Sequence, residues 1–355
     1  MEYTHGGDIY RNNVKWDFSS NIGPFGMPKS VREAALQGVL ESTAYPDSEA
    51  EELVRGIASR EGVLPEQIVC GNGAAEVIFH FVAALKPKHA LLLAPTFSEY
   101  EQALRTVGCQ CRYYFLREKN EFRIMPDILE YITEVIDLVI LCNPNNPTGI
   151  LFPKELYVPL IKQCRNQNCV LAVDECFQDF LVKDDQCSFL EVWKSIEERK
   201  RGKLFLFKAF TKMYGIPGLR MGYGVSTEKE LIRKMKKERQ SWNVSIPAQY
   251  AGKAALKEEA FAERTRNYVS GERKWMMERL EELGFQVFDS RANYVFFKNS
   301  YPINLYEECL KKGLLIRKCE NYLGVDDSFY RVAVKLREEN EMLIQILEQI
   351  THTVK

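Results

Sequence analysis

The stretch FTKMYGIPGLRMG at residues 210–222 decides the fold. Two glycines and a proline follow Lys212 closely, a composition that disfavours an uninterrupted helix, and Arg220 comes eight positions after the lysine. A lysine on a solvated helix needs only a free surface, whereas a lysine that must reach one atom of a ligand needs a fixed backbone. We therefore predict a constrained turn that holds Lys212 and Arg220 at a set separation around one small molecule.

Strands and helices alternate on both sides of this stretch. From about residue 68, amphipathic segments separate short apolar runs such as HALLLAP, DLVILCN, CVLAVDE and KLFLFKAF. This alternation predicts an α/β domain with a mainly parallel, mixed sheet flanked by helices. Ligands of open α/β sheets bind beyond the carboxyl ends of the strands, so we expect the site in the loops there.

The length of the chain predicts more than one domain, because 355 residues exceed what one hydrophobic core usually organises. The final third, with NYVFFK, LLIRKC, FYRVAV and a last amphipathic stretch, reads as a small α+β domain. We divide the chain into an N-terminal arm at residues 1–30, which forms a substrate lid and part of the small domain, a large ligand-binding domain at 31–260 and a small C-terminal domain at 261–355.

The composition is that of a soluble globular enzyme, with 46% apolar and 27% charged residues. A net charge of −1 gives no indication of a nucleic-acid or membrane partner. The N-terminus lacks the apolar core of a signal peptide, so we expect a cytoplasmic protein. The ten cysteines form no CxxC pair and several lie in apolar runs, which favours reduced thiols, and the four histidines have no metal-ligand spacing.

Three further motifs follow strand-like runs. In CGNGAAE at 70–76, backbone N–H groups of Gly73, Ala74 and Ala75 could hold a phosphate at a helix N-terminus, although GxG turns also simply cap helices. CNPNNPTG at 142–149 is either an elaborate loop or a stiff turn that aims Asn146 at a ligand. Asp174 ends the apolar run CVLAV, where its carboxylate needs a cationic or N–H partner, structural or functional.

Together these groups match the requirements of pyridoxal phosphate. An amine forms a Schiff base with the cofactor aldehyde, a carboxylate keeps the pyridine nitrogen protonated, and an arginine with backbone amides binds the phosphate. We assign these roles to Lys212, Asp174 and Arg220. A desolvated Lys212 of lowered pKa can also carry the proton at the substrate α-carbon.

The motif NPNNPTG, the 28 positions from Asn146 to Asp174, the 38 from there to Lys212 and the K-x₇-R spacing resemble the fold-type I aminotransferases of classes I and II. The similarity covers nearly the whole chain. It implies that Asn146 and Asp174 contact the pyridine ring, and that Thr211 assists Arg220 at the phosphate.

The same resemblance implies two aromatic contacts. Phe97, in APTFSEY, would stack on the pyridine face, and Tyr45, in AYPD, would reach the phosphate in the neighbouring subunit of a homodimer with shared active sites. Two positions depart from the family pattern. Phe177 replaces a tyrosine that donates a hydrogen bond to the phenolic oxygen of the cofactor, and Ala209 replaces a serine or threonine near the phosphate.

Within this family the chain resembles the L-threonine-O-3-phosphate decarboxylases of cobalamin biosynthesis and the related histidinol-phosphate aminotransferases. The residues that carry this likeness include THGGDIY at 4–10, DFSSNIGPFG at 17–26 and IRKCENY at 316–322. By this resemblance Asn21 and Arg331 hold the substrate carboxylate, and Arg317 and His5 hold a distal phosphate. The amides of Gly6 and Gly7 would face that phosphate as well, unless the segment is only a frayed terminus.

The HGG opening and Phe177 favour decarboxylation of L-threonine O-3-phosphate to (R)-1-amino-2-propanol O-2-phosphate. Transamination of histidinol phosphate or of an aromatic amino acid is the alternative, because only the orientation of the substrate at the α-carbon separates the two reactions. L-serine O-phosphate as substrate and a non-catalytic pyridoxal-phosphate-binding protein are minor alternatives. A nucleotide-binding oxidoreductase is disfavoured because no GxGxxG opens the first strand–helix unit.

Overall fold

The computed structural model describes residues 5–352. Its strands are β1 Trp16–Asp17, β2 Ile68–Asn72, β3 His89–Ala94, β4 Gln110–Phe115, β5 Leu138–Cys142, β6 Val170–Asp174, β7 Lys203–Ala209, β8 Met221–Ser226, β9 Gln286–Val287, β10 Tyr294–Lys298, β11 Leu314–Leu315, β12 Arg317–Lys318 and β13 Phe329–Ala333. Its α-helices are α1 Lys29–Leu40, α2 Glu51–Glu61, α3 Gly73–Leu85, α4 Glu99–Thr106, α5 Tyr157–Asn166, α6 Phe189–Ser195, α7 Lys229–Glu238, α8 Ile246–Ala255, α9 Glu259–Glu282, α10 Leu305–Lys311 and α11 Arg337–His352.

A seven-stranded sheet in the order β2-β8-β7-β6-β5-β3-β4 forms the centre of the protein. Strands β3 to β7 pair in parallel, whereas β8 pairs antiparallel with both of its neighbours. Every residue of β5 and β6 is buried, as expected of strands covered on both faces. The predicted α/β fold with a mixed, mainly parallel sheet is confirmed.

Helices cover both faces of this sheet. Helices α3, α4 and α7 pack with one set of alternating strand residues, and α2, α5, α6 and α8 pack with the other set. The carboxyl ends of β5, β6 and β7 therefore open at one edge of a rigid layer, where their loops can present polar side chains to a ligand. Among the helices of residues 5–352, none combines the length and the apolar character needed to cross a membrane.

A four-stranded antiparallel sheet, in the order β12-β13-β10-β9, lies in the last third of the chain. The N-terminal segment joins it, because β1 pairs in parallel with β11 and the N–H of Ala333 donates to the carbonyl of Phe18 at 2.8 Å. The predicted domain boundary at residues 260 and 261 falls in the first turn of α9. The three-part division of the chain stays a prediction.

The stretch at 210–222 links β7 to β8 and is a constrained turn. It contains a 3₁₀ turn at Pro217–Leu219, and both Gly215 and Arg220 have positive φ, each of +59°. A Cβ atom on Gly215 would clash with the backbone of Gly26, and the N–H of Gly23 donates to the carbonyl of Lys212 at 2.9 Å. The turn is thus held by residues 23–26, in the last part of the N-terminal arm.

Candidate active site

The carboxyl ends of β5, β6 and β7 and the N-terminus of α3 enclose a cavity of about 380 Å³. All but two of the predicted site residues line it, and Gly7 and Tyr45 are the exceptions. The predicted residues that line it are His5, Gly6, Asn21, Gly73, Ala74, Ala75, Phe97, Asn146, Asp174, Thr211, Lys212, Arg220, Arg317 and Arg331. Residues far apart in sequence therefore meet in one place.

Lys212 and Asp174 face the same cavity. Desolvation lowers the pKa of the Lys212 amine from 10.5 to about 8, and the guanidinium groups of Arg331 and Arg220 act in the same direction. Far more of this amine is therefore neutral near pH 8 than of an exposed lysine. A neutral amine can attack a carbonyl carbon and can accept a proton from carbon, whereas an ammonium group can only donate one.

Asp174 is 5% exposed, and burial raises the pKa of its carboxyl group. Tyr100 Oη donates to its Oδ2 at 2.6 Å, and the N–H of Cys176 donates to its Oδ1 at 2.9 Å. Within residues 5–352, no Lys, Arg or His nitrogen lies within 4.0 Å of this carboxylate. It retains acceptor capacity toward the cavity, where a protonated ring nitrogen would supply the missing cationic partner.

Two aromatic groups form walls of the cavity. Phe97 lies edge-to-face with Tyr100, with ring centroids 5.6 Å apart, and Phe177 lies edge-to-face with Tyr294 at 5.1 Å. Because Phe177 has no hydroxyl, this wall offers no donor at the position where the family pattern has a tyrosine. The hydroxyl of Tyr322 lies 3.4 Å from Asn146 Oδ1 at the same cavity.

An anion cradle lies where α3 meets the end of the constrained turn. Gly73 has a φ of +79°, and a Cβ atom there would clash with Arg220 Nη2, so only glycine lets the guanidinium approach the helix N-terminus this closely. A Cβ atom on Gly222 would similarly clash with the backbone nitrogen of Ala74. Backbone N–H groups, the helix dipole and Arg220 together suit a phosphate group. Thr211 lines the same cavity.

Two arginines form a second cationic region. Arg317 and Arg331 are register partners on β12 and β13. Arg331 donates to Asn146 Oδ1 and to the carbonyl of Ser19, the latter at 2.8 Å, while its Nε is buried and has no hydrogen-bond partner among the described residues. The Oδ1 atom of Asn21 is also buried and has no hydrogen-bond partner among the described residues. Such atoms are costly unless a ligand or water reaches them.

Arg317 is held in place by its own surroundings. Its Nη1 donates to the carbonyl of Lys318 at 2.8 Å and its Nη2 to Asn321 Oδ1 at 2.7 Å, and the guanidinium lies 5.2 Å from the ring centroid of Tyr322. The fixed guanidinium lines the cavity together with the N-terminal arm. This arrangement provides a second place for an anionic group of a ligand.

The N-terminal arm lies across the cavity from residue 5 onward. His5 Nε2 is 2.7 Å from Glu99 Oε1, and the N–H of Gly7 donates to Ser19 Oγ at 2.7 Å. A Cβ atom on Gly6 would clash with the carbonyl of Ser19, so the glycine permits this close approach. The predicted role of the arm at a substrate phosphate stays a prediction, and in this structure His5 contacts a carboxylate.

Tyr45 lies outside the cavity and is 78% exposed. Its ring stacks on Trp242, with centroids 4.4 Å apart. Its predicted contact with the phosphate of a neighbouring subunit stays a prediction.

Sequence reasoning missed Tyr100 and Glu99, which both line the cavity. In the motif TFSEY they come two and three positions after Phe97, at the start of α4. This spacing from the aromatic residue was the sequence signal that could have identified them. A residue three positions after Phe97 returns to the same side of a helical turn.

The residues present fit pyridoxal phosphate. The cavity combines an amine of lowered pKa, a buried carboxylate that has no salt-bridge partner among residues 5–352, an aromatic wall and an anion cradle. These are the groups that the aldehyde, ring nitrogen, ring face and phosphate of the cofactor require.

Comparisons with known proteins agree with this geometry. The family model for aminotransferase class I and II matches residues 13–347. The threonine-phosphate decarboxylase of Salmonella typhimurium is 34% identical over 94% of this chain and 90% of its own. The crystal structure of histidinol-phosphate aminotransferase from Clostridium acetobutylicum superposes with a TM-score of 0.86 at 32% identity, covering 95% of this chain and 99% of that one. The L-threonine-O-3-phosphate decarboxylase from Porphyromonas gingivalis has the same fold, with a TM-score of 0.81 at 23% identity over 94% of this chain and 99% of that one.

Proposed function

The chain belongs to the aminotransferase class I and II family, whose cofactor is pyridoxal 5'-phosphate, and on that premise we propose that it decarboxylates L-threonine O-3-phosphate to (R)-1-amino-2-propanol O-2-phosphate. The observation that carries this proposal is the second cationic region, formed by Arg317 and Arg331, in addition to the anion cradle. One region serves the cofactor phosphate, and the other can hold a substrate with two anionic groups.

Arg331 and Asn21 hold the substrate carboxylate in this proposal. Their unpartnered buried atoms, Nε and Oδ1, mark a place where a ligand completes the hydrogen bonding, with the Asn21 amide turned so that its Nδ2 faces the carboxylate. Arg317 and His5 hold the distal phosphate, which fixes the other end of the substrate. When both ends of the substrate are held, its α-carbon has one orientation in the site. Binding therefore selects which bond of the α-carbon is broken.

When bound, pyridoxal phosphate supplies a pyridine ring that accepts the electron pair released at the substrate α-carbon. Asp174 holds the proton on the ring nitrogen, which its buried carboxylate can do because Tyr100 and the Cys176 N–H occupy its other acceptor positions. As the bond between the α-carbon and the carboxylate breaks, CO₂ leaves, and the Lys212 ammonium then donates a proton to the α-carbon. One proton is consumed and no oxidant or reductant is needed.

Transamination is the second candidate, and the Clostridium acetobutylicum structure favours it. The same residues would serve, but the substrate would be histidinol phosphate or an aromatic amino acid, and the amino group would pass to a keto acid. The decarboxylase reading receives support from the Salmonella typhimurium relative and from the position of His5 over the cavity. Serine phosphate is an alternative substrate for decarboxylation, since one methyl group contributes only about 1–3 kcal/mol of discrimination.

A paired assay separates these candidates. Holoenzyme is incubated with L-threonine O-3-phosphate, and CO₂ and amino-group transfer to 2-oxoglutarate are measured in the same samples. We expect CO₂ release without any keto acid. Stoichiometric transfer of the amino group without CO₂ would refute decarboxylation, and the same assay with serine phosphate and histidinol phosphate ranks the substrates.

We also propose that the protein is a homodimer with shared active sites. The exposed apolar residues Leu36, Val39 and Leu40 of α1 lie near in sequence to Tyr45, which stacks on Trp242 at the surface. Burial of such a group between subunits would be favourable. A solution mass of one chain, measured by light scattering, would contradict this proposal, and Tyr45→Phe tests the contact by its effect on cofactor retention.

A further inference from the structure

Glu99 is a carboxylate in the cavity for which the proposed function gives no role. Among the described residues that line the cavity, Asp174 is the other acidic residue. Asp174 has a cofactor nitrogen to bind, whereas Glu99 lies on the side where the arm closes over the substrate. An unpaired carboxylate there would repel an anionic substrate, so its presence requires an explanation.

The contacts of Glu99 connect it to the arm. Its Oε1 lies 2.7 Å from His5 Nε2 and accepts from Gln102 Nε2 at 3.1 Å. The Glu99 side chain is 14% exposed, and that of His5 is 45% exposed. Glu99 is also the first residue of α4, where the helix dipole favours a negative charge. The carboxylate is therefore the fixed partner, and the imidazole is the group that it holds.

The backbone of the arm is held separately from its histidine ring. The N–H of Gly7 donates to Ser19 Oγ at 2.7 Å, and Ser19 Oγ donates to Asp17 Oδ1 at 2.6 Å. These bonds join the arm to residues of its own N-terminal segment, whereas the contact of His5 with Glu99 ties the arm to α4. The other ring contact of His5 is with Phe97, at 5.8 Å between centroids and a tilt of 50°. The direction of the imidazole thus depends on Glu99.

We propose that Glu99 is a positioning residue that holds His5 over the cavity, with Nε2 bound to the carboxylate and Nδ1 left to donate to the distal phosphate of the substrate. This inference rests on the proposed function, because it needs a substrate that carries a phosphate. An imidazolium has one donor on each nitrogen, so one side can bind Glu99 while the other binds an anion. The positive charge of an imidazolium offsets the negative charge of Glu99 and so removes the repulsion that Glu99 alone would cause.

Kinetics with Glu99→Gln test the positioning role. Loss of a positioning residue raises KM, whereas removal of a repelling charge lowers it. We expect the KM for threonine phosphate to rise about tenfold with kcat changed by less than about twofold, since a charge-assisted contact used in binding is lost. A KM that falls or stays unchanged overturns the proposal. Glu101→Gln is the matched control, because Glu101 pairs with Arg105 on the same helix and does not line the cavity.

A double-mutant cycle shows whether Glu99 acts through His5. In a His5→Gln background, where the Glu99 charge has lost its imidazole partner, we expect Glu99→Gln to leave KM unchanged or to lower it. An equal loss in both backgrounds would mean that Glu99 does not act through His5, and it overturns the proposal.

Limited trypsin digestion of the holoenzyme without substrate gives a readout that does not depend on the reaction. Arg11, whose side chain is 83% exposed, lies in the arm, and cleavage after it is followed by mass spectrometry. Glu99→Gln and His5→Gln should each speed this cleavage several-fold, and Glu101→Gln should not. Equal rates in all variants overturn the proposal. Faster cleavage in an enzyme that releases no CO₂ would instead refute only the proposed function.

Discussion

Tyr100 Oη donates a hydrogen bond of 2.6 Å to Asp174 Oδ2, and both residues are buried. This bond lowers the pKa of the Asp174 carboxyl group, against the raising effect of burial. The ring of Tyr100 also lies edge-to-face with Phe97. One side chain therefore supports both the carboxylate that we propose binds the ring nitrogen and the aromatic wall of the cavity.

Tyr100→Phe should raise the pKa of Asp174 further and weaken cofactor binding. A hydrogen bond to a charged group contributes about 1.5–3 kcal/mol, so we expect the dissociation constant of pyridoxal phosphate to increase about tenfold or more. Fluorescence titration of apoenzyme measures it. The control is Tyr301→Phe, which removes a phenol bonded to the carbonyl of Leu283 and outside the cavity. Equal dissociation constants of pyridoxal phosphate for Tyr100→Phe and Tyr301→Phe would contradict the role of Tyr100.

Gly73→Ala should disrupt the anion cradle, because the added Cβ would clash with Arg220 Nη2 and the φ of +79° is unfavourable for alanine. We expect weaker binding of pyridoxal phosphate by at least about tenfold, while pyridoxal without its phosphate is affected less. Gly218→Ala lies in the same turn as Arg220 and has open space around it, so it should bind both forms normally. An equal loss of affinity for pyridoxal phosphate and for pyridoxal in Gly73→Ala would argue against a phosphate site.

The lowered pKa of Lys212 has a consequence for the stability of the apoprotein. Between about pH 8 and pH 10.5, the unfolded chain binds this proton more than the folded chain does, so the free energy of unfolding rises with pH in that window. Below about pH 8 the amine is protonated in both states, and burial of the ammonium lowers the free energy of unfolding by a constant amount. Lys212→Met should therefore raise the melting temperature of the apoprotein at pH 7, and the advantage should shrink from pH 8 to 10.5. A variant that melts lower than the wild type at pH 7 would contradict this expectation.

Lys208 anchors a buried ion-pair network beneath the site. Its Nζ lies 2.9 and 3.1 Å from the carboxylate oxygens of Glu61 and 3.6 Å from Glu175 Oε2, and Tyr223 Oη donates to Glu61 at 2.7 Å. Lys208→Met leaves two buried carboxylates without their cation, so we expect a loss of about 3–5 kcal/mol in the free energy of unfolding.

Urea denaturation measures the effect of Lys208→Met. The control is Lys253→Met, which breaks a more exposed pair with Glu52 and should cost less than about 1 kcal/mol. Equal losses in the free energy of unfolding for Lys208→Met and Lys253→Met would show that burial of the network does not increase its contribution to stability.

The cavity residues at strand ends were predictable because the topology brings them together. Asp174 ends β6 and Lys212 follows β7, and parallel neighbours end at the same edge of a sheet. Spacing along the chain was therefore sufficient to predict their proximity. The turn at 210–222 was predictable for a similar reason, since its glycines and proline restrict the local backbone.

The residues that sequence reasoning missed act through long-range contacts. Glu99 meets His5 across 94 positions, and Tyr100 meets Asp174 across 74. The pairing of β1 with β11 joins residues about as far apart as the chain allows, and no local pattern specifies it. Such contacts depend on how separate elements pack, which composition and periodicity do not determine.

The pairing of β1 with β11 bonds the N-terminal segment to the part of the chain that carries Arg317. Strand β11 ends two residues before Arg317, and Phe18 is bonded to Ala333, two residues after Arg331. If the C-terminal sheet moved relative to the central sheet, residues 16–18 would move with Arg317 and Arg331, whereas the cradle and Lys212 lie at the central sheet. The groups proposed to hold the two ends of the substrate would then move away from the cofactor site together.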